Sequence, residues 1–216
     1  MTSCIIVAAG VGARMGLNVN KALIKLGNKR VLMYSIDTFL KYVDEVIVVL
    51  NENDSDIIKE LPSKVIYTFG GSTRGESVYN GITKAKGDYI LIHDAARPFI
   101  SGDVINEIVN NINHDEAVLT YLESVDTIRY QNNSKLELLD RNKVIKAVTP
   151  QCAPKKLILE AYKKSFDENK TFTDDIAVLT NYCDIKVNLV KANPEAFKIT
   201  YPIDLKLAEV LWRDYD

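Results

Sequence analysis

Short apolar runs at residues 4–7, 46–50, 65–67 and 89–92 alternate with stretches whose apolar residues recur at helical spacing. Leu32, Ile36, Phe39 and Leu40 form one such stretch, and Val78, Ile82 and Ala85 form another. Strand–helix alternation with short connections leaves few topologies open. It predicts an α/β, Rossmann-like fold, a mostly parallel doubly wound sheet with helices on both faces. Ile105, Ile108 and Ile112 extend the pattern as a helix, and residues 117–121 as a strand. Helical spacing returns around Leu157, Ala161, Tyr162 and Ser165 and over 175–181, before a strand at 186–190 and a last helix at 202–212. No repeat or linker interrupts residues 1–216, which read as one domain.

In such sheets ligands bind beyond the C-terminal ends of the strands. The first of these ends carries Ala8-Ala9-Gly10-Val11-Gly12-Ala13-Arg14-Met15-Gly16, with Lys21 shortly after. Small residues let backbone N–H groups approach an anion, and Arg14 and Lys21 add cations. The loop fits a nucleoside triphosphate. Met15 stands where a dinucleotide fingerprint needs its third glycine, and the Gly-Lys-Ser/Thr ending of a P-loop is absent. The plainer alternative is a turn of small residues with two solvated cations.

Composition narrows the function classes. With a net charge of −2 the chain lacks the basic excess of a nucleic-acid surface. Cys4, Cys152 and Cys183 are few and scattered, which argues against a disulfide framework or zinc site. No apolar run approaches the roughly 20 residues of a membrane span. No signal-like stretch opens the sequence, so a cytoplasmic location is expected.

The α/β rhythm breaks between about residues 124 and 149. Residues 127–130 and 135–139 read as strands around the polar turn Gln131-Asn132-Asn133-Ser134. They form either a β-arm reaching out from the domain or a hairpin folded back on its own sheet. An isolated hairpin is marginal in water, so an arm wants a partner, most simply a second copy of the chain.

Three further clusters carry chemistry. Gly70-Gly71 followed by Ser72, Thr73 and Ser77 would let a flat base approach backbone, or would simply cap a helix. His93-Asp94-Ala95-Ala96-Arg97-Pro98 lies at another strand end. Asp94 there suits ribose hydroxyls or Mg²⁺, whereas Arg97 can pair with Asp94 and fix the loop. His93 and His114 read as structural. Late in the chain, Thr173 or Asp174 reads as a helix cap, and Lys198 stands near a strand end where it can reach phosphate. Asp54-Ser55-Asp56 matches the D-x-D of sugar-nucleotide glycosyltransferases, but acidic residues at a helix start explain it better.

Taken in order, the blocks A-A-G-x-G-x-R-M-G, N-K, G-G-x-x-R-x-x-S-V-x-N-G, H-D-A-A-R-P, V-D-T-I, D-R-N, T-P-Q, T-D-D and K-I-T-x-P-x-D-L-x-x-A-E resemble the 2-C-methyl-D-erythritol 4-phosphate cytidylyltransferases from Ala8 to Glu209. The resemblance implies a CTP-dependent enzyme that uses Mg²⁺ and a polyol phosphate and forms a homodimer through the arm. It implies that Ala8, Ala9, Gly10 and Gly12 line the nucleotide pocket, and that Gly71 and Ser77 contact cytosine. Arg14, Lys21 and Lys198 would hold the phosphates, with Asp94 near the ribose or metal. Arg97, Thr127, Arg141, Thr149, Thr173 and Asp174 would serve the acceptor, Thr127 and Arg141 from the arm of the other subunit.

The chain departs from the commoner pattern at Asn20 and Ala22 around Lys21, at Ser72 and Thr73, at Tyr201, and at Val144-Ile145. Ribitol 5-phosphate cytidylyltransferases are the nearest alternative. Ala8-Ala9-Gly10 and Ala95-Ala96 favour methylerythritol phosphate over ribitol phosphate. A binding module without catalysis is a further alternative, since fold alone does not settle activity.

Overall fold

The computed structural model describes residues 1–10, 20–113, 115–133 and 135–214. Its centre is a seven-stranded sheet ordered β11-β7-β10-β6-β1-β4-β5. The strands are β1 (Thr2–Val7), β4 (Glu45–Leu50), β5 (Ile66–Phe69), β6 (Tyr89–Asp94), β7 (Glu116–Glu123), β10 (Ile145–Pro154) and β11 (Lys186–Lys191). β1 runs parallel to β4 and β6, β4 to β5, and β7 to β11, whereas β10 is antiparallel to both β6 and β7. One reversed strand therefore sits among six that point the same way.

Helices α1 (Val31–Phe39) and α3 (Gly102–Asn110) cover one face, and α2 (Arg74–Lys84), α4 (Lys155–Asp167) and α5 (Asp175–Tyr182) cover the other. The pleat sends successive residues to opposite faces. Ile6, Val48 and Leu91 meet Leu32, Ile36 and Phe39 on the first face. Ile5, Ile47 and Ile90 meet Val78, Ile82 and Ile158 on the second. Two-sided burial explains why these strands read as unbroken apolar runs. A third cluster joins the small hairpin β2 (Lys25–Leu26) and β3 (Lys29–Arg30) to α6 (Pro202–Leu211) through Leu26, Val31, Ile199 and Ala208.

The parallel strands end level. Ala8 N donates to Val49 O (2.8 Å), Ala95 N to Val7 O (3.1 Å) and Gly70 N to Leu50 O (2.8 Å). These bonds stitch the loops after β1, β4, β5 and β6 into one rim.

Three sequence expectations need correction. β10 was not foreseen as a strand: Pro150 interrupts its pattern, and the register shifts between Val148 and Cys152. The segment Glu52–Glu60 is 3₁₀ rather than α-helical; Asn51 caps it, and Asp54 lies in its first turn as acidic residues at a helix start do. The excursion is a shorter hairpin than expected, β8 (Arg129–Asn132) with β9 (Lys135–Leu138). Among the described residues it pairs with no other strand, and both its strands are exposed.

Candidate active site

The rim encloses a cavity of about 530 Å³. Ala8, Ala9 and Gly10 form its floor at the end of β1, Gly71 and Ser77 one wall, and Lys21, Asp94 and Lys198 the charged part. Eight residues singled out in the sequence thus converge. Arg14 and Gly12 lie outside the described residues, as does His114.

The wall after β5 is built for close approach. A Cβ on Gly70 would come within 2.6 Å of both Ala9 Cβ and Ser77 Oγ, so the backbone lies too near for any side chain. Thr73 caps α2 by accepting from Glu76 N (3.1 Å). Ser77 Oγ donates to Thr73 O (2.9 Å) and accepts from Gly71 N (3.2 Å), which fixes the turn facing the cavity.

Asn20 explains one departure from the family pattern. Its side chain accepts from Ala22 N (3.1 Å) and so caps the 3₁₀ turn Lys21–Leu23. It also donates to Ala8 O (2.6 Å) and to Asp54 Oδ2 (2.8 Å), tying Lys21's turn to the floor. Asp54 is thereby used as a brace, and neither it nor Asp56 lines the cavity.

Asp94 is the electrostatic centre. Lys198 Nζ lies 2.8 Å from Oδ2, Arg97 Nε 3.6 Å from Oδ2, and an Arg74 terminal nitrogen 3.6 Å from Oδ1. Burial works to raise the Asp94 pKa, but Lys198, Arg74 and Arg97 together hold the carboxyl well below the usual carboxylate range. Asp94 N in turn donates to Thr149 Oγ1 (3.0 Å), which also contacts His93 Nδ1 (3.2 Å). His93 is wholly buried, and burial pushes its imidazole down to about 4.

Arg74 was quoted in a block but given no role. It lines the cavity and makes a two-pronged pair with Asp175, at 2.9 and 2.8 Å. Burial pulls the Arg74 pKa down, and the Asp175 and Asp94 charges outweigh it and raise it. Asp175 is buried, accepts from Tyr162 Oη (2.5 Å), and is seated by Gln151, whose Oε1 accepts from Asp175 N and Ile176 N at 3.0 Å each. Its sequence signals are its place in the T-D-D block and its position just inside α5.

The expected acceptor residues do not gather in this cavity. Thr149 is buried and its hydroxyl is spent on Asp94 and His93. Arg97 sits behind Asp94, donating to Ala196 O (2.9 Å). Asp174 caps α5 by accepting from Ala177 N (2.7 Å), with Thr173 beside it. Thr127 and Arg141 are exposed at the root of the hairpin, where Arg141 donates to Val125 O (3.0 Å).

Asp94 is the only acidic residue lining the cavity among the described residues, and those residues gather no cluster of three or more His, Cys, Asp or Glu. Such a donor set makes no cage for a free ion. It fits Mg²⁺ that arrives on phosphates, which needs only one or two carboxylates beside waters and substrate oxygens. None of the described helices is long and apolar enough to cross a membrane.

The model of the 2-C-methyl-D-erythritol 4-phosphate cytidylyltransferase (IspD) family matches residues 2–214. The enzyme of that name from Clostridioides difficile is 36% identical over 220 residues, covering 97% of this chain and 92% of its own. The one from Clostridium tetani is 37% identical over 216 residues, covering 95% and 87%. Among solved structures, 4-diphosphocytidyl-2C-methyl-D-erythritol synthase of Anaerococcus prevotii superimposes with TM-score 0.88 at 30% identity, covering 99% of this chain and 96% of that one. The Thermus thermophilus cytidylyltransferase does so with TM-score 0.82 at 28% identity, covering 99% and 100%. Its rim of small residues, lysines and Asp94 lies beyond the C-terminal strand ends, where open α/β sheets bind ligands, and the chain belongs to the 2-C-methyl-D-erythritol 4-phosphate cytidylyltransferase family.

Proposed function

We propose that the chain, acting as one domain with its arm, transfers CMP from CTP to 2-C-methyl-D-erythritol 4-phosphate. The observation that carries this is the convergence of Lys21, Lys198, Arg74 and Asp94 over the floor Ala8–Gly10, in a chain matched by the family model almost end to end.

An oxygen of the acceptor phosphate attacks the α-phosphorus and forms the new P–O bond. The bond from the α-phosphorus to the α–β bridging oxygen breaks, and pyrophosphate leaves with that electron pair. The protein supplies position and charge and forms no covalent intermediate. Gly71 and Ser77 receive cytosine against backbone. Lys21, with Arg14, holds the triphosphate, and Lys198 moves between Asp94 and the α-phosphate. Asp94, with the substrate's own phosphate oxygens, would hold Mg²⁺, which would supply charge neutralisation at the leaving group. Arg97 and Thr149 keep Asp94 aimed, and Asp174, beside Thr173, sets the start of α5.

Thr127 and Arg141 serve the acceptor phosphate in the cavity of a second copy, so the working unit is a homodimer joined through the arms. The exposed Val125, Tyr130, Leu136 and Leu138 support this assignment, since a lone two-stranded hairpin would not keep such side chains in water. A cytoplasmic site of action follows from the same reading, because the arm and catalytic rim are built for small soluble phosphates.

Pyrophosphate release with CTP and Mg²⁺ tests the proposal, with methylerythritol 4-phosphate and ribitol 5-phosphate offered in parallel. Release with the first alone is expected. Release with ribitol phosphate alone would keep the chemistry and overturn the acceptor, and CTP binding without release would leave a binding module.

A further inference from the structure

We propose that Trp212 is a positioning residue for the cavity lysines, acting through Gly27; the inference rests on the phosphate-binding reading of Lys21 and Lys198. The sheet's first core reaches the segments that bear these lysines through Ala22, Leu23 and Ala196. Beyond these contacts, both segments join the third apolar cluster, of Leu26, Val31, Tyr34, Phe99, Ile199 and Ala208. Lys198 stands between Phe197 and Ile199, both part of that cluster. Lys21 opens the 3₁₀ turn that leads through Ile24, another member, into the β2–β3 hairpin. Arg30 returns from the hairpin to donate to Leu23 O (2.8 Å), and Val31 N donates to Ile24 O (3.0 Å), so hairpin and turn move as one piece.

The hairpin itself is short, with two residue pairs, and cannot hold its place alone. Gly27 at its tip has φ +60°, and a Cβ there would come within 2.5 Å of Trp212 Cε3. The indole therefore lies flat against the tip. Trp212 closes α6, the helix that begins just after Lys198 and Thr200 and is fastened there by Asp204 Oδ2, which accepts from Thr200 N (2.8 Å) and Tyr201 N (2.7 Å). One ring thus joins the turn that bears Lys21 to the helix that follows Lys198. Two cations gripping one triphosphate need a fixed separation, and small misplacements cost large factors in rate.

The chain has one tryptophan, so the same residue reports on itself. Trp212→Ala is expected to lower kcat about 10-fold or more and to raise the CTP KM, while Trp212→Phe keeps activity within about 3-fold. Gly27→Val, which clashes at the same contact, should reproduce the loss if the fold is retained by circular dichroism. In a Lys21→Met background, adding Trp212→Ala should cost less than about 2-fold, because the lysine it positions is gone. Equal losses in both backgrounds, or wild-type turnover by Trp212→Ala, would overturn the proposal. Titration of the wild-type protein with inorganic pyrophosphate gives a readout independent of turnover. A saturable change in Trp212 fluorescence that Lys21→Met abolishes supports the coupling, and binding by calorimetry without any fluorescence change counts against it. A protein that shows this change yet turns over neither acceptor would sink the activity reading alone.

Discussion

Arg74 bridges two buried carboxylates: its guanidinium grips Asp175 at 2.8–2.9 Å and lies 3.6 Å from Asp94, which lines the cavity. The first contact holds the group and the second uses it. Removing the Asp175 charge strands a guanidinium that is only a third exposed, at about 1–3 kcal/mol. Asp175→Asn should therefore lower the unfolding free energy by roughly that amount and reduce kcat/KM at least about 10-fold. Urea titration and steady-state pyrophosphate release on one preparation measure both. Unchanged kinetics in a destabilised variant would leave Asp175 with a purely architectural part.

Lys21→Ala is expected to lower turnover about 100-fold, comparable with losing one donor to a developing oxyanion. Circular dichroism should show the fold intact. Near-normal turnover by the folded variant would rule out a role for Lys21 at the triphosphate.

His93 gives stability a pH dependence of definite sign. Burial lowers its pKa to about 4 in the folded protein, against 6.5 for the free side chain. Between these values the unfolded chain takes up a proton that the folded chain refuses. Stability is therefore full above the upper value and falls as pH drops toward the lower one, by about 2 kcal/mol at pH 5. Asp94 acts in the same direction at lower pH: its stabilisation is present above the ordinary carboxylate pKa of 3.8 and is lost in stronger acid. The urea midpoint should fall between pH 7 and pH 5 in the wild type and much less in His93→Phe. A parallel fall in the variant would assign the slope to other groups.

On the arm, Arg141→Ala should raise the acceptor KM about 10-fold or more, the loss of a charged hydrogen bond to phosphate, while the CTP KM stays put. Leu136 and Leu138 are two residues apart on β9 and share one face. Replacing both with Lys should shift the chain toward monomer in sedimentation velocity and lower activity with it. Full activity from a monomeric double variant would mean that the arm is not needed in trans.

The floor and Asp94 were legible because each sits at the end of an apolar run whose periodicity was clear, and Lys21 and Lys198 because they are cations in the segments that follow strands. The same local logic found the caps Thr73 and Asp174. It failed for β10, where Pro150 and a register shift hide the strand pattern. It also failed for Arg74–Asp175, since the partners lie 101 residues apart and nothing local announces the pair. The contacts of Thr149 were not legible for a related reason. Its block was clear, but whether its hydroxyl faced substrate or Asp94 N depended on β10 lying beside β6.

The reversal of β10 has an architectural outcome. β7 leaves the sheet at Glu123 and β10 re-enters opposite it at Ile145, both on the rim where β1 and β6 end. The hairpin is consequently rooted beside the catalytic floor; a parallel strand in that slot would have brought the chain back in at the far side of the sheet. Insertions or deletions between Glu123 and Ile145 leave every pairing of the seven-stranded sheet in register. On the proposed role of the arm, the span and grip of the excursion can change while the nucleotide floor stays fixed, which would let acceptor preference vary separately from the chemistry of transfer.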